Sequence, residues 1–228
     1  MKITIIGAGE VGSHVALFCA LKEYGDIFLM DKDYIKAEGH ASDINQSLSA
    51  LYKDSDVKGG YDHSLLYDAD IVVLSVGKRR WDDIKRIDLM DINKDDVKEC
   101  ANQIRVFAPD CTVIVVTNPV DEMTDIVRKQ TGFPRDRILC FGNSLDTARF
   151  RETIHRQTGK RRSMIKCNVM GYHDENAGHL YADISDIDTN ESRYMAITTI
   201  RKKGATVFAP AICVTEAVGR CLRVNEYS

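Results

Sequence analysis

The chain has 228 residues, 44% of them hydrophobic and 29% charged, with a formal net charge of −3. That length suits one large domain or two smaller ones, while 31 basic against 34 acidic residues give no electrostatic case for nucleic acid or an anionic membrane surface. No apolar run approaches the ~20 residues of a bilayer-spanning helix, and seven cysteines without a Cys-x-x-Cys pair point away from a disulfide framework and toward a reducing, cytoplasmic compartment.

The opening MKITIIGAG runs straight into glycines with no cleavage-site pattern, so no signal peptide is expected. Its Ile3 to Ile6 reads as a buried strand, and Val11 to Leu21 carries apolar residues at helical spacing. Ile27 to Met30 is a second buried strand, closed by Asp31, and a helical stretch follows from about Ala37 to Leu51. The pattern gives a third strand over Asp70 to Ser75, then the charge-dense segment Lys78 to Lys85, a helix over Leu89 to Phe107 and a strand over Val113 to Thr117, ended by Asn118-Pro119. Strands alternating with helices predict a doubly wound parallel sheet covered on both faces. Beyond Phe141 the texture changes: a helix from about Ser144, a strand near Cys167 to Met170, an acidic loop or turn over Asp183 to Ser192, and a last helical pattern over Ala205 to Leu222. Pro210 is tolerable there only early or as a kink. The expected division is residues 1–142 as a nucleotide-binding domain and 143–228 as a smaller second part.

Gly7, Gly9 and Gly12 form GxGxxG directly after a strand and at the mouth of a helix. That pattern supplies a tight turn, a close backbone approach to a pyrophosphate and a helix N-terminus facing it. Asp31, 19 residues beyond Gly12, stands at the end of the second strand, where an acid holds ribose hydroxyls. An acid there also repels a 2′-phosphate, which favours NAD over NADP; Lys32 beside it weakens that preference. Arg79, Arg80 and Arg86 follow the third predicted strand at the edge where such sheets bind ligands, and guanidinium groups suit bidentate carboxylate recognition, though a solvated loop explains any one of them alone. Arg149 shares a helix face with Asp146, three residues earlier. His173 gains interest only with an orienting carboxylate, for which Asp146 is the candidate. His173, Asp174, Glu175 and His179 match no standard zinc spacing, so no metal is expected. Ser144-Leu145-Asp146 lacks the glycines of a nucleophile elbow.

Taken together, GAGEVG at 7 to 12, the Arg80 to Arg86 pair, Asn93, TNPVD at 117 to 121, LDTARFR at 145 to 151 and MGYHD at 170 to 174 resemble one family, the L-malate and L-lactate dehydrogenases, from Met1 to about Leu222. The resemblance implies a Rossmann-type NAD-binding domain followed by a smaller α+β catalytic domain. That second domain is expected to be truncated, because the segment between His173 and Thr206 is shorter than usual and the chain stops at Ser228. GYHDEN also stands where the family has GEHGD.

The resemblance implies roles residue by residue. His173 is the general acid/base, held in its tautomer by Asp146. Arg149 clamps the substrate carboxylate, Arg86 polarises the reacting carbonyl, and Asn118 contacts substrate and nicotinamide ribose. Arg80, where the lactate branch has Gln, pairs with a second carboxylate and points to malate and oxaloacetate. The cofactor set is Gly7, Gly9, Glu10, Val11, Gly12, Asp31, Asn93, Val116 and Asn118, and Asn118-Pro119 is similar to a bond that is cis in the family. A homodimer or homotetramer is expected. The alternatives are a dehydrogenase for lactate or another 2-hydroxy acid, and a catalytically weak NAD-binding fragment.

Overall fold

The computed structural model of the chain describes residues 1–79, 86–173, 177–181 and 186–225, with backbone alone at 86 and 223–225. Six strands form one parallel sheet: β1 (Lys2–Ile6), β2 (Asp26–Met30), β3 (Val57–Gly60), β4 (Ile71–Leu74), β5 (Thr112–Val115) and β6 (Ile138–Cys140), in the order β3-β2-β1-β4-β5-β6. The chain winds outward from β1 to β3, then returns to β4 on β1's other side. Ile3 pairs with both Ile27 and Ile71, and Ile6 with Met30 and Leu74, so the carboxyl ends of three central strands finish level. The direction of winding reverses between β1 and β4, and a crevice opens at such a reversal.

The reason for helices on both faces can be read in β4, where all four residues are buried. Ile71 and Val73 point into a core shared with α1 (Glu10–Leu21), α2 (Tyr34–Ala50) and α7 (Phe208–Asn225). Val72 and Leu74 point the other way, against α3 (Arg86–Phe107) and α4 (Val120–Thr131). Side chains alternate across a strand, so a continuous apolar run needs a cover on each side. Burying each such side chain contributes ~1.5–3 kcal/mol, an upper figure for an extended unfolded chain.

After the sheet come α5 (Asn143–Thr158), an antiparallel pair β7 (Asn168–Met170) and β8 (Gly178–Leu180), and α6 (Thr189–Lys203). They have a core of their own around Phe150, Ile154, Ile165, Val169, Ala177 and Ile187. Helix α7 then returns to the first core, where Ala211, Val214 and Val218 are fully buried. Pro210 is its third residue, a position where no intrahelical N–H is lost.

Several expectations are corrected. The strand over Ile71 to Leu74 is the fourth, because the short edge strand β3, VKGG, has too little apolar sequence to show itself. β6 is likewise only three residues long. Helix α4 is largely polar, but Val120, Met123, Thr124, Val127 and Thr131 make one buried stripe, and Gly132 ends it at φ +70°. Helix α2 begins at Tyr34 rather than Ala37 because the Asp33 side chain caps it, accepting from the Lys36 N–H at 3.2 Å. The acidic stretch expected as a loop up to Ser192 already contains the first turn of α6, capped by Asp188.

Candidate active site

The turn from β1 to α1 has the shape that an anion cradle requires. Gly7 has φ +108°, and a Cβ there would lie 2.6 Å from the Ser75 carbonyl oxygen; only glycine accepts both conditions. A Cβ on Gly12 would overlap the Gly7 carbonyl oxygen, so the helix can cross this close to the strand only with glycine. Around Gly9 nothing lies within 4 Å of a built Cβ. Gly9 caps α1 with extended backbone and no side-chain cap, which leaves the first helical amides, including those of Glu10 and Val11, directed out of the helix end.

Asp31 closes the other side of this turn. Its Oδ2 accepts from the Ala8 N–H at 2.6 Å and its Oδ1 from the Asp33 N–H at 3.0 Å. These two bonds fix the carboxylate, and each oxygen keeps further acceptor capacity. A cleft of about 240 Å³ runs from here, lined among others by Gly7, Gly9, Asp31, Tyr61, Val76 and Lys78. The open Gly9, the closed-down Gly7 and Gly12, and a fixed acid at the end of β2 fit a dinucleotide: pyrophosphate against the α1 amides, ribose hydroxyls on Asp31.

Asn93, expected at the cofactor cleft, has a structural part as well. It is fully buried, and its side chain accepts from the Lys78 N–H at 2.7 Å while donating to the carbonyls of Lys78 and Asn118 at 3.1 and 2.8 Å. It lies on the apolar stripe of α3 with Leu89, Val97 and Ala101, where a polar group needs such partners. Asn93 is therefore a strut that ties the loop after β4 to the loop after β5. In that position it supports the wall of the cleft. The peptide Asn118-Pro119 is cis, Asn118 is exposed beyond the end of β5 and Val116 is half-buried beside it.

A second group gathers at the N-terminus of α5. Asp146 lies in the helix's first turn, where the helix dipole favours a carboxylate. Its Oδ2 is 2.5 Å from His173 Nδ1, and its Oδ1 accepts from Arg149 Nη1 at 3.1 Å. The Asp146, Arg149 and His173 side chains are 17%, 12% and 22% exposed, so the pairing is shielded from bulk water. Burial lowers the Arg149 guanidinium from its ordinary value, and Asp146 opposes that. A carboxylate only accepts, so the hydrogen of this bond lies on His173 Nδ1, and Nε2 is the ring nitrogen turned away from Asp146.

The chain holds His173 from two further sides. Its backbone N–H donates to Asp121 Oδ2 at 2.9 Å, and a Cβ on Gly142 would sit 2.7 Å from the His173 Cβ. Neither role was expected. The available signal for Asp121 was an acid in the first turn of a helix directly after the cis proline.

The structure thus brings Gly7, Gly9 and Asp31 together in one cleft, and Asp146, Arg149 and His173 in one cluster. Arg80 and the Arg86 side chain, expected at the substrate, lie outside the described residues, as do Asp174 and Glu175. Among the described residues no group of three His, Cys, Asp or Glu side chains could hold a metal ion. His179 packs edge-on against Phe150, with ring centroids 4.7 Å apart.

Comparison with known proteins identifies the family and the fold. Residues 1–140 match the family model of the lactate/malate dehydrogenase NAD-binding domain. The chain is 33% identical over 227 residues to malate dehydrogenase of Archaeoglobus fulgidus, covering 96% of this chain and 76% of that protein. It is 36% identical over 176 residues to malate dehydrogenase 1 of Anaeromyxobacter dehalogenans, covering 76% of this chain and 56% of that one. The chain therefore spans between about half and three-quarters of these relatives' lengths. The solved structure of the Archaeoglobus fulgidus enzyme in complex with NADH superposes with a TM-score of 0.84 over 95% of this chain and 76% of that one. Plasmodium falciparum malate dehydrogenase superposes with 0.92 at 26% identity, over 98% of this chain and 78% of that one.

Proposed function

The chain belongs to the lactate/malate dehydrogenase family, and on that premise we propose that it interconverts L-malate and oxaloacetate with NAD as cofactor. The observation that carries the reading is the Asp146–His173 pair at 2.5 Å with Arg149 on the same carboxylate. It combines a proton-exchanging imidazole, its orienting acid and a guanidinium suited to an anionic substrate. The names of the relatives, malate dehydrogenases among them, support the same substrate.

When bound, NAD would supply the two-electron acceptor for the hydride that leaves malate C2. The residues of the chain do the rest. His173 Nε2 accepts the proton of the C2 hydroxyl as the carbonyl forms, and returns it in the reverse direction. Asp146 holds Nδ1–H and stabilises the imidazolium. Arg149 offers its remaining N–H groups to the carboxylate next to the reacting carbon. Arg86 is assigned to polarise the carbonyl, Arg80 to meet the distal carboxylate, and Asn118 to contact substrate from the end of β5. Gly7, Gly9, Glu10, Val11 and Gly12 form the pyrophosphate turn, with Asp31 for the adenosine ribose, Asn93 supporting the cleft and Val116 beside it.

We assign residues 1–142 to cofactor binding and 143–228 to substrate and catalysis. The separate core around Phe150 supports that division, with α7 packed back on the first part. A cytoplasmic homodimer or homotetramer completes the proposal. No described helix is long and apolar enough to cross a membrane. The test is oxidation of NADH by the purified chain with oxaloacetate and, separately, with pyruvate. Faster turnover of oxaloacetate is expected. Preference for pyruvate would replace malate with lactate, and NADH binding without turnover of either would leave only the cofactor half of the reading.

A further inference from the structure

The cleft around Asp31 is lined by charges of both signs. Lys32 and Lys36 approach from the end of β2 and the first turn of α2, and Asp96 and Glu99 from α3 on the opposite wall. Lys32 Nζ lies 3.4 Å from Asp96 Oδ1, so one ion pair runs from wall to wall beside the acid that faces the ribose. The two residues are 64 apart in sequence. Cys100, one turn of helix beyond Asp96, lines the same cleft.

Asp31 by itself does not settle which ribose this cleft prefers. Its carboxylate repels a 2′-phosphate, but the next residue is a lysine, and an ammonium at that place attracts one. The Lys32 side chain is 76% exposed, hence free to swing toward a phosphate unless something holds it. We propose that Asp96 is a specificity-determining residue: by holding the Lys32 ammonium on the α3 wall, it keeps the cleft selective for a dinucleotide whose adenosine ribose carries no phosphate. The inference rests on the dinucleotide reading of this cleft and adds to it a residue on α3, far in sequence from Asp31.

The physics sets both direction and size. With Asp96 in place, three carboxylates (Asp31, Asp96, Glu99) face two ammonium groups (Lys32, Lys36) around this end of the cleft. Neutralising Asp96 makes the count even and releases Lys32. Exposed ion pairs are individually weak, but a phosphate carries close to two charges. One freed ammonium within a few ångströms of it should improve binding roughly three- to tenfold at low salt. The gain should shrink as salt is added, because the site is open to solvent.

The experiment is calorimetric titration of the chain with ADP-ribose and with 2′-phospho-ADP-ribose, probes that need no turnover. The wild-type chain should favour ADP-ribose. Asp96→Asn should shift the affinity ratio toward 2′-phospho-ADP-ribose by about three- to tenfold, and Lys32→Gln in the Asp96→Asn background should remove that shift. Thermal melts of each variant check the fold, and Asp96→Glu, which restores the charge, should restore the ratio. An unchanged ratio in folded Asp96→Asn overturns the proposal. So does a shift that survives in the double variant, because Asp96 would then act by direct repulsion and not through Lys32. If the wild-type chain binds neither probe, the dinucleotide reading itself falls and this inference with it.

Discussion

Replacing Asp146 by Asn changes one atom and should disable the proton exchange while sparing the cofactor cleft. Two N–H groups converge on the Asp146 carboxylate, from His173 Nδ1 at 2.5 Å and Arg149 Nη1 at 3.1 Å. An amide has one oxygen to offer them. Arg149 is charged at all working pH values and its side chain is 12% exposed, so it retains the oxygen. The amide NH₂ then faces His173 Nδ1, which must give up its hydrogen and accept. That forces the proton onto Nε2, the atom assigned to take a proton from malate. The neutral amide also withdraws the counter-charge from the imidazolium needed in the other direction. General acid–base catalysis contributes ~10²–10⁴-fold, so kcat should fall by that factor, or ~2.7–5.4 kcal/mol. The loss in stability is smaller, ~1–3 kcal/mol for a charge-assisted bond, or ~2–4 °C in Tm per kcal/mol for a chain of this size. The assay compares kcat for oxaloacetate, NADH affinity by fluorescence and a thermal melt. A kcat close to wild type would refute the role given to the pair. A parallel loss of NADH affinity would show that the substitution acts through the fold.

Three further outcomes are expected. Gly12→Ala places a Cβ on the Gly7 carbonyl oxygen, so the turn must open; NADH binding should weaken by an order of magnitude or more, and unchanged binding by titration would remove the turn from the cofactor site. Burial pushes the Cys19, Cys100 and Cys111 thiols up to about 12, so all three should resist iodoacetamide in the native chain at neutral pH and react once it is unfolded, which peptide mapping would test. His179 is held below its ordinary imidazole value, first by burial and then by repulsion from Arg193. The unfolded chain therefore binds the extra proton first, and the stability this residue contributes is full above its ordinary value of about 6.5 and lost as pH falls toward the lower folded value. Urea midpoints measured on either side of that range should separate less in His179→Gln than in wild type.

Much of the six-stranded sheet is legible in the sequence because its central strands are buried on both faces. A run such as Ile71 to Leu74 must lie inside a covered sheet, and β1, β2 and β5 declare themselves in the same way. The glycine turn and Asp31 are legible for a related reason: each depends on the chain within one βαβ unit, where spacing along the sequence is also spacing in space. The edge strands β3 and β6 escape because a strand of three or four residues with one neighbour needs little apolar sequence. Helix α4 hides its buried stripe among charges.

What the sequence does not contain is which distant groups meet. Periodicity states that α7 has an apolar face; only packing decides that the face closes on α1, nearly the whole chain away, instead of on the neighbouring α6. Asp146 and Arg149 share a helix face by spacing alone, but the 2.5 Å approach of His173, its N–H bond to Asp121 and the room left by Gly142 exist because three separate elements end at one point. Asn93 was legible as a polar residue in a motif, and its bonds to the loops after β4 and β5 made it a strut. Lys32 was legible as a cation beside Asp31, and Asp96 across the cleft decides what that cation is free to do. Local pattern encodes what a residue needs, burial or a partner, because those needs belong to the side chain. The choice of partner belongs to crossover and register, and it is made only when the chain is folded.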